Sequence, residues 1–291
     1  MSKKVRFQAI DVVIILACLA VGIYVYYRIK YGLEYKGDWS VIPQFLFRRN
    51  ETGRLVPNYL LQGLITTLKL SVWSIILATI VGITIGLFRT SKNLFLRMVG
   101  RTYVELIRNL PPLVLIFLFY FFAADQIIPL LGVEEFVRNL SDDTQAILAI
   151  FFTEKHLFTQ FISGVITLAF FEGAYIAEVI RAGIESVERG QKEAAYSLGL
   201  SWLDEMRFVI MPQAIKRVLP PLANEFINTI KYSAITSVVS IQELTFMGRQ
   251  VVVATRYIFE TWITVSVMYM VLTLSLSLLA SQLEKKMKQS D

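Results

Sequence analysis

An all-α protein that crosses a membrane several times is what the composition and patterning of this 291-residue chain predict. Hydrophobic residues make up 55% of it and charged residues only 18%, against about 25% charged in a typical soluble domain. Several apolar runs reach the roughly 20 residues that a hydrocarbon core about 30 Å thick demands of a helix. Cysteine and histidine occur once each, as Cys18 and His156, so one chain can assemble neither a disulfide framework nor a cysteine or multi-histidine metal site. The net charge is +6. The basic residues flank apolar segments instead of forming an arginine-rich arm interleaved with aromatics, which suits membrane orientation and predicts no nucleic-acid partner.

Six segments are apolar and long enough to cross. The first, Phe7 to about Tyr27, follows Lys3, Lys4 and Arg6; it exceeds the apolar length of a signal peptide and no small-residue cleavage site follows, so it reads as a retained signal anchor. The second runs from about Tyr59 to Phe88 and the third from about Tyr103 to Ala123, where Pro111 and Pro112 remove two backbone donors and predict a kink or break. The fourth spans about Thr159 to Ile180. A fifth, about Leu222 to Leu244, carries Asn224, Glu225, Asn228, Lys231 and Ser233 in its first half, and a helix of that composition must face protein or water. The sixth runs from about Tyr257 to Leu279, before a basic tail over residues 284–291. No period of 20 to 50 residues is present, which excludes a solenoid or propeller.

Lysine and arginine set the orientation. With both termini cytoplasmic, 16 of the 29 basic residues fall inside, among them Arg89, Lys92, Arg97, Arg101, Arg189, Lys192, Lys216 and Arg217. Ten fall outside, and six of these (Arg28, Lys30, Lys36, Arg48, Arg49, Arg54) crowd into one segment against the rule. The stretch from Asp125 to Phe158 reads as an external loop with one or two surface helices, whose Asp142, Asp143 and Glu154 form a solvated face more readily than a metal site.

The chemistry concentrates in the long inner loop, GQKEAAYSLGLSWLDEMRFVIMPQAIKRVLPPLANEF, from Gly190 to Phe226. Glu193, Ala194 and Ala195 begin a short helix of good formers, and Gly199 is placed to end it in a left-handed cap. An amphipathic piece, Trp202–Ile210, follows and is stopped by Pro212, while Pro220 and Pro221 punctuate the entry to the fifth span. As a mere connector this loop would expose apolar residues wastefully; a short helix of small and apolar residues suits docking into a groove on another protein.

Here the chain resembles the permease subunits of ATP-binding-cassette importers. E-A-A, three residues, G, then nine residues to an I-x-L-P element is their signature, and Glu193, Ala194, Ala195, Gly199 and Pro212 match it, with Val209 for isoleucine and Met211 for leucine. RTYVELIRNLPPLVLIFLFYF, GAYIAEVIRAGIESV and NEFINTIKYSAITSVVSIQELT resemble the polar amino-acid branch. The resemblance implies a five-helix type I permease core over residues 59–283, a coupling loop over 190–221, and one extra N-terminal transmembrane helix within an anchor and external segment, 1–58. It implies a bacterial cytoplasmic (inner) membrane location and a polar amino-acid cargo, with a lean to glutamate, aspartate or glutamine. The partners implied are two ATPase subunits, a second permease subunit, identical or related, an external solute-binding protein and the lipid bilayer. No G-x-x-x-x-G-K-[ST] occurs, so ATP and magnesium would be bound by the partner ATPases and this chain would be no enzyme.

Within the fourth span Glu172 lies near the midplane, where a carboxylate costs about 2.5 to 3.5 kcal/mol. It requires an ion pair with Lys231 of the fifth span, or a wet cavity in which it grips the substrate's ammonium; Asn228 and Ser233 are read as lining the same path. Glu178 with Arg181, and Glu105 with Arg108, read as local pairs. Gly82 and Gly86, extended back by Ala78, read as a close helix approach. His156 reads as a solvated residue and Cys18 as a small membrane-facing one. An ion-coupled secondary amino-acid carrier is the rival class, but it predicts inverted repeats that the chain does not show.

Overall fold

The computed structural model describes residues 9–32 and 37–288. Lys3, Lys4, Arg6 and Phe7 at the start of the expected first span, Lys36, and residues 289–291 of the expected tail lie outside the described residues. By internal contacts the chain divides between Trp39 and Ser40. The first unit is built on one helix, α1 (Ala9–Gly32), whose apolar side chains from Ile10 to Tyr27 are largely exposed, as is Cys18. The apolar residues of α1 run round every face over a length that can cross a membrane.

The second unit takes residues 40–58 with the remainder, so this part of the external segment packs with the core. A short turn of helix, Ile42–Leu46, leads into an antiparallel hairpin of β1 (Phe47–Arg49) and β2 (Leu55–Pro57). Then come α2 (Tyr59–Thr90), α3 (Leu94–Asn109), α4 (Pro112–Phe122), α5 (Phe158–Glu185), α6 (Arg189–Ser197), α7 (Met211–Ser233), α8 (Leu244–Thr255) and α9 (Ile258–Lys288). Five stretches are apolar and long enough to cross: Ile10–Arg28, Tyr59–Thr90, Pro112–Leu130, Lys155–Glu185 and Ile258–Gln282.

The core is the parallel pair α2 and α5. A Cβ built on Gly173 would meet Val81 Cγ1 at 2.8 Å, and one on Gly164 would meet Leu70 Cδ1 at 3.4 Å. Cβ atoms on Gly82 and Gly86 would collide with Ile176 and Ile180, so the small residues expected to permit close approach do so, with Ala78 in the same buried cluster. Buried Ser163 and Thr167 on α5 return their hydroxyls to carbonyls one turn back, at 2.9 and 2.7 Å.

Two expectations need correction. The third span is shifted later, to Pro112–Leu130, and the residues before the proline pair belong to a separate amphipathic helix. Asn93 caps the amphipathic α3 by accepting from the amides of Phe95 and Leu96, and the chain breaks at Leu110–Pro111 before α4. The break at the proline pair is the one expected. The fifth span is not one helix from 222 to 244. Pro212 does not stop the preceding piece: the backbone stays helical from Trp202–Asp204 through the wider turn Glu205–Ile210 into α7, with Ile210 and Met211 both in right-handed helical conformation. Pro220 and Pro221 lie inside α7, where neither supplies the amide hydrogen that a helix interior uses. After Ser233 the chain tightens to a 3-10 turn, Ala234–Val239, reverses through Ser240 at φ 64°, and restarts as α8.

Candidate functional site

At the end of the unit where α5 finishes, α6 carries Glu193, Ala194 and Ala195. Its terminus closes as the sequence predicts. Gly199 takes φ +75°, its amide donates to the Tyr196 carbonyl at 2.9 Å, and the Leu200 amide donates to the Ala195 carbonyl at 3.2 Å, the two bonds of a Schellman cap. Ala195 is buried against the chain's own side, whereas Glu193 and Ala194 are exposed. Around them Tyr196 and Leu198 are 82% and 80% exposed, with Leu203 and Phe208 also open. The Trp202–Ile210 piece opens on Ser201, whose hydroxyl donates to the Asp204 carboxylate at 2.6 Å, and Arg217 of α7 donates to the Ser186 carbonyl at the end of α5. A rigid helix ringed by unburied apolar side chains is thus presented at one end. The sequence pointed to the helix; the outward turn of Tyr196, Leu198 and Phe208 emerges only from the fold.

Deeper in, Glu172 is completely buried, and neither carboxylate oxygen has a hydrogen-bond partner. The expected ion pair with Lys231 is not formed among the described residues. Lys231 is exposed and donates to Asn228 Oδ1 at 3.3 Å, and Asn228 donates to Glu225 Oε2 at 3.3 Å. Residues 225, 228 and 231 succeed one another at three-residue spacing along α7, so lysine meets the nearer helical neighbour. Glu225 faces Glu172 electrostatically, which makes the charge environment of Glu172 acidic. Ser233 is buried, and its hydroxyl donates to the Ile230 carbonyl at 2.7 Å. Tyr232 packs edge-on against Phe171, ring centroids 5.1 Å apart, beside Tyr175. Glu225 entered the sequence reading only as one of the polar residues of the fifth span, and Tyr232 and Tyr175 were given no place on the path, although the three-residue spacing of 225, 228 and 231 contains part of the signal.

Toward α6 a charge cluster ties three helices. Glu178 pairs with Arg181 on its own helix and Arg89 of α2, and lies 3.9 Å from Arg108 of α3; Arg181 also pairs with Glu185. The local Glu178–Arg181 pair is as expected. Glu105 and Arg108 do not pair: Glu105 accepts from Asn109 at 3.1 Å, and the Arg108 guanidinium lies 5.9 Å over the Tyr175 ring. Arg89 was legible only as a topology signal, because its partner is 89 residues away.

At the far end a buried carboxylate holds the break before α8. Glu243 caps that helix by accepting from the amides of Phe246 and Thr245 at 2.7 and 2.9 Å, and accepts from Tyr269 Oη of α9 at 2.6 Å. The Leu244 amide donates to Thr67 of α2 at 3.1 Å. At the same end, Lys69 and Trp73 of α2 donate to carbonyls of Ala149 and Phe151, which seats the helix Asp142–Phe151 on the core. His156 is exposed, 3.5 Å from Glu154.

Comparison with known proteins places this arrangement. The family described as "Binding-protein-dependent transport system inner membrane component" matches residues 78–289. The chain is 34% identical over 230 residues to a probable glutamine ABC transporter permease protein, GlnM, of Bacillus subtilis (strain 168), covering 79% of this chain and 94% of that one. It is 31% identical over 229 residues to the glutamine transport system permease protein GlnP of Escherichia coli (strain K12), covering 79% and 93%. Among solved structures, a crystal structure of an amino acid ABC transporter with histidines aligns with TM-score 0.61 at 36% identity, covering 78% of this chain and 94% of that one. An inward-facing MetNI methionine ABC transporter aligns with TM-score 0.59 at 18% identity over 79% and 96%, a likeness of fold alone.

Proposed function

Because the chain belongs to the family of binding-protein-dependent transport system inner membrane components, we propose that it is the permease subunit of an ATP-driven importer of polar amino acids, with glutamine or its acidic relatives as cargo. The observation that carries this reading is α6, a capped helix with exposed Tyr196 and Leu198 around Glu193–Ala194, shaped to enter a groove on a partner ATPase. Two ATPase subunits bind ATP and magnesium, a second permease subunit completes the path, and both termini are cytoplasmic. Closure of the ATPase pair would draw the two α6 helices together and open the path outward, where an external binding protein delivers its amino acid; hydrolysis would reset the path inward. Along the path, Glu172 would meet the substrate's ammonium, since a buried carboxylate without a partner beside Glu225 is electrostatically suited to a cationic group. Asn228, Lys231 and Ser233 would present polar groups toward the same cargo.

Reconstituted vesicles test the proposal. Uptake of radiolabelled glutamine that needs ATP inside, the ATPase subunits and an added binding protein is the expected result. Uptake driven by an ion gradient with this chain alone would establish a secondary carrier instead.

A further inference from the structure

The hairpin of β1 and β2 lies in the part of the chain that precedes the family match at residue 78, and it holds three of the basic residues that break the charge rule. In an antiparallel pair, directly opposed residues share a face, so Phe47, Arg49, Leu55 and Pro57 project to one side and Arg48 and Val56 to the other. Phe47 is 50% and Leu55 68% exposed, and Arg48, Arg49 and Arg54 are exposed and form no ion pair among the described residues. Against these three arginines the hairpin sets one acid, Glu51.

The hairpin is held rigidly. Asn50 Oδ1 accepts from the Arg54 amide and the Thr52 hydroxyl, both at 2.8 Å, and Gly53 takes φ +77° to close the turn. Asn58 donates to the Gln44 carbonyl at 2.6 Å, and its amide donates to the Leu46 carbonyl at 2.8 Å. Phe45 and Leu46 pack against Leu60, Leu244 and Val251, which fixes the hairpin to the end of the core remote from α6. The two ends of α2, 32 residues long, stand about 48 Å apart at 1.5 Å per residue.

We infer that this hairpin is a docking element for an acidic face of the external solute-binding protein. The inference rests on the importer reading above, which places this end outside. Arginines held there oppose the charge bias that orients a membrane protein, so a partner on that side gives them a use that insertion does not. Arginine beside an exposed aromatic is also the composition of a protein contact surface, and unpaired positive charge steers an acidic partner in from solution and speeds encounter.

The test uses proteoliposomes holding the complete transporter, titrated with the binding protein that supports uptake, reading the ATPase rate. Changing Arg48, Arg49 and Arg54 together to Gln should raise the half-saturating binding-protein concentration at least tenfold at low ionic strength, with the rate in the absence of binding protein unchanged. High salt should shrink the difference, and the triple Arg→Lys variant, which keeps charge, should stay within about threefold of wild type. An unchanged half-saturation in the Gln variant overturns the inference. So does an effect seen only in bilayers containing phosphatidylglycerol and absent in pure phosphatidylcholine, which would make lipid headgroups the partner, or an effect traced to altered self-association on sizing. Wild-type transporter that no binding protein stimulates would defeat the importer reading itself; wild-type stimulation preserved in the variant would defeat only the docking role.

Discussion

Glu172 and Gly199 were singled out on different grounds, and the structure gives each a different burden. Glu172 has no hydrogen-bond partner and no salt bridge to Lys231, so its charge supports no packing in this chain. Replacing it with Gln exchanges one unpartnered polar group for another of the same shape. Unfolding stability should therefore move by less than about 1 kcal/mol, while uptake falls at least tenfold. Glu172 and Lys231 make no ion pair and are linked only indirectly, through Asn228 and Glu225, so Glu172→Gln and Lys231→Met should be additive within about 0.5 kcal/mol on thermal unfolding of the assembled protein. Coupling beyond that would restore the common cavity that the sequence suggested. Gly199 holds a left-handed backbone position and no packing, since its φ is +75° and a Cβ there meets nothing within 4 Å. A left-handed conformation costs a non-glycine residue roughly 1–2 kcal/mol. Gly199→Val should thus fray the cap of α6 and leave ATP hydrolysis running without matched uptake. Gly199→Asn, which tolerates that conformation, should keep most of the coupling. Equal coupling ratios in the two variants would sever the cap from transmission.

Among elements, those whose whole length is apolar were legible from composition: α2, α5 and α9 fall where the apolar runs lie. α7 and α8 were not, because their ends are decided by groups distant in sequence. Glu243 stops one helix pattern and starts another only because Tyr269 and the amides of Thr245 and Phe246 converge on it. A window of local hydropathy sees there only one acid near the end of a span. The candidate site divides in the same way. The glycine cap of the E-A-A helix is local and was read correctly, although the helix begins at Arg189, a turn before the expected Glu193; the Glu178–Arg89 contact and the diversion of Lys231 to Asn228 depend on which faces the fold brings together. Packing of α2 on α5 can be tested directly. Ala at position 82 would press its Cβ into Ile176, and overpacking typically costs 1–3 kcal/mol. Adding Ile176→Ala makes room, so the double variant should be more stable than the two separate losses summed, as read by thermal unfolding in detergent. Strict additivity would show that the helices relax apart at no cost.

The molecule as a whole separates at Trp39, and function should separate there too. The two curated permeases are matched over 93–94% of their own length but only 79% of this chain, so a fold of this family operates with little beyond the matched region. α1 contributes apolar surface suited to lipid and belongs to a unit of its own. A protein starting at Ser40 behind an initiating methionine should consequently insert, copurify with its ATPase partners and carry substrate at a rate within a few-fold of the full chain. Starting at Tyr59 is different in kind. That cut removes Phe45 and Leu46 from the cluster around Leu60 and Leu244, and burying an apolar side chain of this size is worth about 1.5–3 kcal/mol when complete. The partly buried pair should cost the shorter protein a few kcal/mol in stability and, with the arginine hairpin gone, its high-affinity response to binding protein. Side-by-side thermal unfolding and uptake of the two truncations distinguish the contributions. If the Ser40 protein inserts and assembles yet carries nothing, α1 belongs to the transport path; if the Tyr59 protein matches it in both stability and response, residues 40–58 add neither packing nor docking.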